Sequence, residues 1–141
     1  MTLNLNLDGW LDRWLNRQKL RKTLVLLQKN GFAISTVYDI EANKGRWSRD
    51  IKRILLNSNF FLFEAKESHQ KKPVSRGFSF FICVLGSKEE TRRFYSIGGT
   101  GDSLYLEKTK HYEEVKSREV TTRTLKAIVE KKITCTKLYQ A

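Results

Sequence analysis

The sequence predicts an α+β fold in which a helical N-terminal segment precedes a mainly antiparallel sheet of about four to five strands packed against helices. Three observations support this class. The chain has 141 residues, 40% hydrophobic and 30% charged, which is typical of one globular domain. Apolar residues recur at helical spacing in some segments and alternate in others. Only 1 proline and 8 glycines are present, so no long flexible linker divides the chain. We therefore expect a single domain over 1–141, with a helical segment at 1–30, a β-α-β-β core at 31–107, and a C-terminal helix and tail at 108–141.

The first helix has a clear end and an ambiguous middle. Asn30 and Gly31 end it, because both residues tolerate the left-handed conformation that follows many helices. Its early and late apolar residues do not share one face of a straight helix. Either the helix breaks near Gln18, or its second half is buried on two sides.

The core segments follow from alternation and capping. Branched and aromatic residues at 32–40 predict a strand, and Ser48 is a suitable cap for a second helix. The nearly all-apolar segment 77–85 predicts a central strand. The remaining predictions are strands at 59–66, 92–97 and 104–107, a helix at 118–132, and a last strand at 133–139.

The strongest functional signal is the charge. The chain carries 27 Lys and Arg against 15 Asp and Glu, a formal net charge of +12. Such an imbalance repels itself in a compact chain and usually indicates a polyanionic partner. We expect a nucleic acid, RNA slightly preferred over DNA, with an acidic protein or a membrane surface as the alternative.

No apolar run is long enough to span a membrane, and the N-terminus does not resemble a secretory signal. An intracellular protein without a membrane segment is therefore expected. Cys83 and Cys135 are interpreted as reduced core thiols.

The expected phosphate-binding residues form three groups. Cations four residues apart on a helix repel each other by roughly 0.2–0.5 kcal/mol per pair, and a phosphate backbone turns that repulsion into attraction. A solvated helix face is the alternative for each of the two helical groups. The first helix contributes Arg13, Arg17 and Arg21; the second contributes Arg46, Arg49, Lys52 and Arg53; the loop before the central strand contributes Lys71, Lys72 and Arg76.

The octamer at 76–83, RGFSFFIC, resembles the longer ribonucleoprotein motif of RNA-recognition motifs. In that family the leading basic residue contacts phosphate, and the aromatic residues at the third and fifth places stack on bases. The resemblance implies these roles for Arg76, Phe78 and Phe80, and a β-α-β-β-α-β order over 32–107. A phenylalanine-rich core strand is the alternative.

Glu64 and Lys66 resemble the E-x-K half of the PD-(D/E)xK nuclease signature. Residues two apart on a strand face the same way, so Glu64 would hold a divalent ion while Lys66 stabilises charge on the phosphate. Asp39 would supply a second carboxylate. Only this metal-dependent nuclease needs a cofactor, Mg or Mn; none is expected otherwise.

Two further functions stay open. A metal-free ribonuclease would use His69 or His111 with nearby Arg, Lys and Tyr. A protein-interaction factor, of the kind that viruses and mobile elements encode, would bind its partner through Trp10 and Trp14 of the first helix.

Overall fold

The computed structural model describes residues 7–97, 101–106 and 115–131, with the side chains of the first helix described from Leu15 onwards. These residues form an α+β fold that begins with a helix. The helices are α1 (Leu7–Lys29), α2 (Arg46–Lys52), α3 (Lys71–Val74) and α4 (Leu125–Glu130), with a 3-10 turn at Glu67–His69. The strands are β1 (Thr36–Ile40), β2 (Asn59–Glu64), β3 (Ser79–Ile82), β4 (Val84–Leu85), β5 (Thr91–Ser96) and β6 (Lys116–Arg123).

The first helix is continuous and does not break near Gln18. Its predicted end is confirmed, since Gly31 adopts a φ of 83°. Leu20 and Leu24 pack against the core. Leu26 is 59% exposed, so the second half of α1 is buried on one side only.

The prediction of one mainly antiparallel sheet of four to five strands is wrong. Strands β1, β2 and β3 form a parallel three-stranded sheet in that order. Strands β4, β6 and β5 form a second three-stranded sheet, in which β6 is parallel to β4 and antiparallel to β5. The physical reason lies in the connections. Helix α2 links β1 to β2, and the 3-10 turn and α3 link β2 to β3, so each connection carries the chain back to the edge where the previous strand began.

The apolar segment predicted as one central strand forms both β3 and β4, with Cys83 between them. The Cys83 N–H donates to the Glu64 carbonyl at 2.9 Å and so extends the pairing of β2 with β3 by one residue. Strand β4 then pairs with β6. This segment therefore joins the two sheets.

The prediction of a helix at 118–132 is wrong for the first half of that range. Residues 116–123 form strand β6, and α4 begins only after Thr124, whose Oγ1 accepts the Ala127 N–H at 3.0 Å. The run Val120–Thr122 is β-branched, which favours a strand over a helix. Of the strand predicted at 104–107, residues 104–106 are not a strand, and Ser103 makes only an isolated bridge to Tyr95. The strand predicted at 133–139 lies outside the described residues.

The core lies between α2 and one face of the parallel sheet. Leu62 is fully buried there and packs with Ile51 and Leu55 of the α2 region. Ser48, expected to cap α2, is instead buried within it, and its hydroxyl donates to an Asp39 carboxylate oxygen. The residue before α2 is Gly45, which makes no side-chain cap.

Gly45 determines how α2 meets α3. Its φ is 64°, a left-handed conformation that glycine adopts without strain. A Cβ at this position would lie 3.1 Å from Leu62 Cδ2 and 3.2 Å from Pro73 Cγ. The start of α2 is therefore pressed directly onto α3 and the sheet.

Candidate nucleic-acid interface and adjoining cavity

The contact between Gly45 and Pro73 unites two of the predicted basic segments. Cations flank Gly45 and precede Pro73, so cations from segments that are distant in sequence lie side by side. We call this patch the basic surface, and its members are all exposed: Lys44, Arg46, Lys71, Lys72 and Arg76. Sequence reasoning missed Lys44. Its position next to Gly45 is the signal that would have found it.

The cations of the basic surface have no carboxylate partner in the part of the chain that the structure describes, where the ion pairs involve other residues. Two other predicted cations have structural partners. Arg49 pairs with Asp50 at 2.8 Å. Lys52 Nζ donates to the Leu56 and Ser58 carbonyls at 2.8 and 2.6 Å. Arg53 is exposed.

Two of the three predicted cations of α1 have described side chains. Arg17 is exposed and Arg21, one turn later, is half-buried. The side chains of Arg13, Trp10 and Trp14 lie outside the described part of α1. The structure therefore leaves the predicted protein-binding role of the two tryptophans as a prediction.

Two of the three phenylalanines of the octamer, the pair expected to stack on bases, face the core. Phe80 is 7% exposed, and the Phe78 ring packs edge-on against Phe60 with its centroid 5.7 Å away. In this conformation the Phe80 ring is not open to a base, and the Phe78 ring is only partly exposed. The rings on the opposite face of the sheet belong to Tyr38 and Phe61, 5.7 Å apart, with Phe81 beside them.

A cavity of about 520 Å³ opens at the carboxyl ends of β1, β2 and β3. This edge is where ligands bind in open sheets of parallel strands. The volume falls within the roughly 300–1,000 Å³ of small-molecule sites. Sequence reasoning missed the cavity, because its lining comes from five separate segments. The polar lining residues include Glu41, Asn43, Glu64, Lys66, His69 and Asp102.

Glu64 holds two loops at the cavity edge. Its Oε2 accepts the Asn43 N–H at 2.8 Å, and its Oε1 accepts the Lys66 N–H at 2.9 Å. The His69 ring lies against the same carboxylate, with Nδ1 at 3.7 Å from Oε2. Nδ1 is shielded from solvent, and none of the described residues forms a hydrogen bond with it. This carboxylate therefore fixes the loops after β1 and β2 and faces the histidine.

The Lys66 amine pairs with a carboxylate outside the E-x-K pattern. Its Nζ pairs with Asp102 Oδ2 at 2.9 Å, and Asp102 also accepts the Ser96 hydroxyl at 2.9 Å. Strand β2 ends at Glu64, so the alternation that would point both side chains the same way stops before Lys66.

The three E-x-K candidates do not fit a divalent ion held by several side chains. Asp39 pairs with Leu62, so Asp39 and Glu64 share a face of adjacent strands. Asp39, however, is engaged by Ser48, and both Glu64 oxygens accept backbone N–H groups. Among the described residues, no group of three His, Cys, Asp or Glu side chains could hold a metal ion. Metal-dependent cleavage stays a prediction, and the described residues supply no group of three side chains that could bind its metal ion.

Burial raises the pKa of Asp39 above its usual 3.8; the Ser48 hydrogen bond opposes this rise, and the nearby charge of Glu64 adds to it. The ionised form is thus less favourable in the folded chain than in the unfolded chain. Below 3.8 the carboxyl is protonated in both states and carries no penalty; the penalty develops as pH rises through the folded pKa.

We therefore expect Asp39→Asn to gain stability relative to the wild type as pH rises from about 4 to about 7. The amide oxygen still accepts the Ser48 hydroxyl, so the titrating charge is the main change. Urea unfolding across this range measures the difference. In a chain that keeps Asp39, Ser48→Ala should make the free energy of unfolding depend more strongly on pH. The reason is that this substitution removes the hydrogen bond that opposes the rise of the Asp39 pKa. A difference between Asp39→Asn and wild type that is constant with pH would contradict the expectation.

Cys83 lines the cavity but is not poised as a nucleophile. Burial raises the pKa of its thiol to about 11, which the charge of Arg123 only partly offsets. The thiol therefore stays protonated near neutral pH. Cys83 is free and half-buried, whereas Cys135 and His111 lie outside the described residues.

No helix within the described ranges is long and apolar enough to cross a membrane. Comparisons with protein-family models, with curated proteins and with solved structures find no match for this chain.

Proposed function

We propose that the protein binds nucleic acid, RNA slightly preferred over DNA, through phosphate contacts of the basic surface. The observation that carries the proposal is the packing of Gly45 on Pro73, which gathers exposed cations from two segments into one patch. Gathering like charges is unfavourable by itself, and a phosphate backbone makes it favourable. The net charge of +12 supports the same partner.

Binding of this kind releases counterions, so it weakens steeply with salt. Each phosphate contact contributes about 0.7 to the slope of log affinity against log salt for a single strand, and about 0.9 for a duplex. If all five cations of the basic surface contact phosphates, a single strand should therefore give a slope of about −3.5.

The test compares two triple variants with the same loss of net charge. Lys71→Gln, Lys72→Gln and Arg76→Gln together remove three cations from the basic surface. The control combines Arg93→Gln, Lys116→Gln and Lys126→Gln, which are exposed cations of β5, β6 and α4. Anisotropy of labelled single-stranded RNA and DNA is recorded from about 50 to 200 mM salt.

We expect the basic-surface triple to bind about 10- to 100-fold more weakly and to reduce the salt slope by about 2. The control triple should stay close to the wild type, since only a diffuse field is lost. A flat salt response of the wild type, or equal losses in the two triples, would overturn the proposal.

A further inference from the structure

The cavity opens beside the basic surface. Asn43 lines the cavity and directly precedes Lys44, and His69 lines it two residues before Lys71. A strand whose phosphates lie on the basic surface would therefore pass the mouth of the cavity.

The cavity wall suits an uncharged aromatic group better than a phosphate. Its carboxylates, Glu41, Glu64 and Asp102, outnumber Lys66, whose amine already pairs with Asp102. A phosphate inside would meet repulsion from these carboxylates. The rest of the lining is largely apolar or aromatic and includes Ile40, Phe63, Leu85, Phe94, Leu104 and Tyr105.

We propose that this cavity receives one unstacked nucleobase of a single-stranded nucleic acid whose phosphates contact the basic surface. The inference rests on the proposed function and names its substrate class. Enzymes and binding modules that take a base out of the stack hold it between apolar or aromatic side chains and hydrogen-bond its edge. A wall of acceptors favours bases with an exocyclic amine, which are adenine, cytosine and guanine, over uracil.

His69 provides a direct reporter of the cavity. The chain contains 2 histidines, so His111→Gln leaves the His69 imidazole as the sole histidine resonance in an NMR spectrum. This variant is titrated with CMP, UMP and ribose 5-phosphate. CMP should shift the resonance in a saturable way and UMP about tenfold more weakly, whereas ribose 5-phosphate should leave it in place.

A pair of leucines supplies the matched variants. Leu104 lines the cavity, whereas Leu106 is 54% exposed and does not line it. Leu104→Trp fills the cavity and should weaken binding of a single-stranded oligonucleotide by about tenfold without changing the salt slope, because stacking of one base is lost and the phosphate contacts remain. Leu106→Trp should bind as the wild type does.

The inference is overturned if ribose 5-phosphate shifts His69 as CMP does, if no mononucleotide shifts it, or if the two leucine variants bind the oligonucleotide equally well. These failures are separate from failure of the proposed function. If the basic-surface triple still loses salt-dependent binding while His69 ignores CMP, the nucleobase inference falls and nucleic-acid binding stands. Circular dichroism of Leu104→Trp confirms that the comparison is made on folded protein.

Discussion

Replacing Leu62 with alanine is expected to lower the free energy of unfolding by about 3 kcal/mol, within the roughly 2–5 kcal/mol range of buried leucine truncations. Leu62 is 0% exposed and lies in the central strand of the parallel sheet. Its Cδ2 also abuts Gly45, where α2, α3 and the sheet meet. The truncation leaves a void beside Gly45, and relaxation of the surrounding residues fills such a void only in part. Urea unfolding measures the loss.

Leu56→Ala is the matched control for that measurement. It removes the same atoms from a side chain that is 69% exposed, so the expected change lies within about 0.5 kcal/mol. Equal losses in the two variants would contradict the position of Leu62 at the centre of the core.

Local patterns predicted local structure well. Alternation located β1, β2 and β5, and the Asn30-Gly31 pair located the end of α1. Pairing direction is a long-range property, and alternation shows only which residues share a face. The helix predicted between β1 and β2 was nevertheless a usable sign, since a helical connection commonly joins parallel strands. Strand β6 was missed because the apolar residues Val120, Leu125, Ile128 and Val129 were interpreted as one helical face, which extended the predicted helix back over the β-branched run at 120–122.

The sequence predicted individual residues of the candidate site but not their arrangement. Charge identified Arg46 and Lys71 separately, but their union depends on the contact between Gly45 and Pro73, which no spacing encodes. The cavity likewise depends on contacts between segments that are distant in sequence. The Lys66 amine pairs with Asp102, which is distant in sequence, whereas the Glu64 carboxylate accepts the backbone N–H groups of Asn43 and Lys66. The E-x-K spacing does not encode these contacts.

Glu64→Ala is expected to lower the free energy of unfolding by about 2–3 kcal/mol, because it leaves two backbone N–H groups without their charged acceptor. The Glu64 side chain is 11% exposed and joins the Asn43 and Lys66 loops at 2.8 and 2.9 Å. Water entering the open cavity replaces part of what is lost, so the effect stays below that of Leu62→Ala. Thermal or urea unfolding measures it.

Glu67→Ala is the control, since this carboxylate is exposed in the same loop and should change stability by less than about 0.5 kcal/mol. The comparison also decides how a cleavage assay with magnesium or manganese must be designed. If Glu64 holds the loops, a loss of cleavage in Glu64→Ala has two explanations that this variant does not separate: collapse of the loops and loss of a catalytic group. Glu64→Gln, which keeps one acceptor oxygen, is then the variant to assay. If Glu64→Ala is as stable as Glu67→Ala, the carboxylate does not hold the loops, and a role in binding an ion or a substrate becomes the better explanation for its place in the cavity.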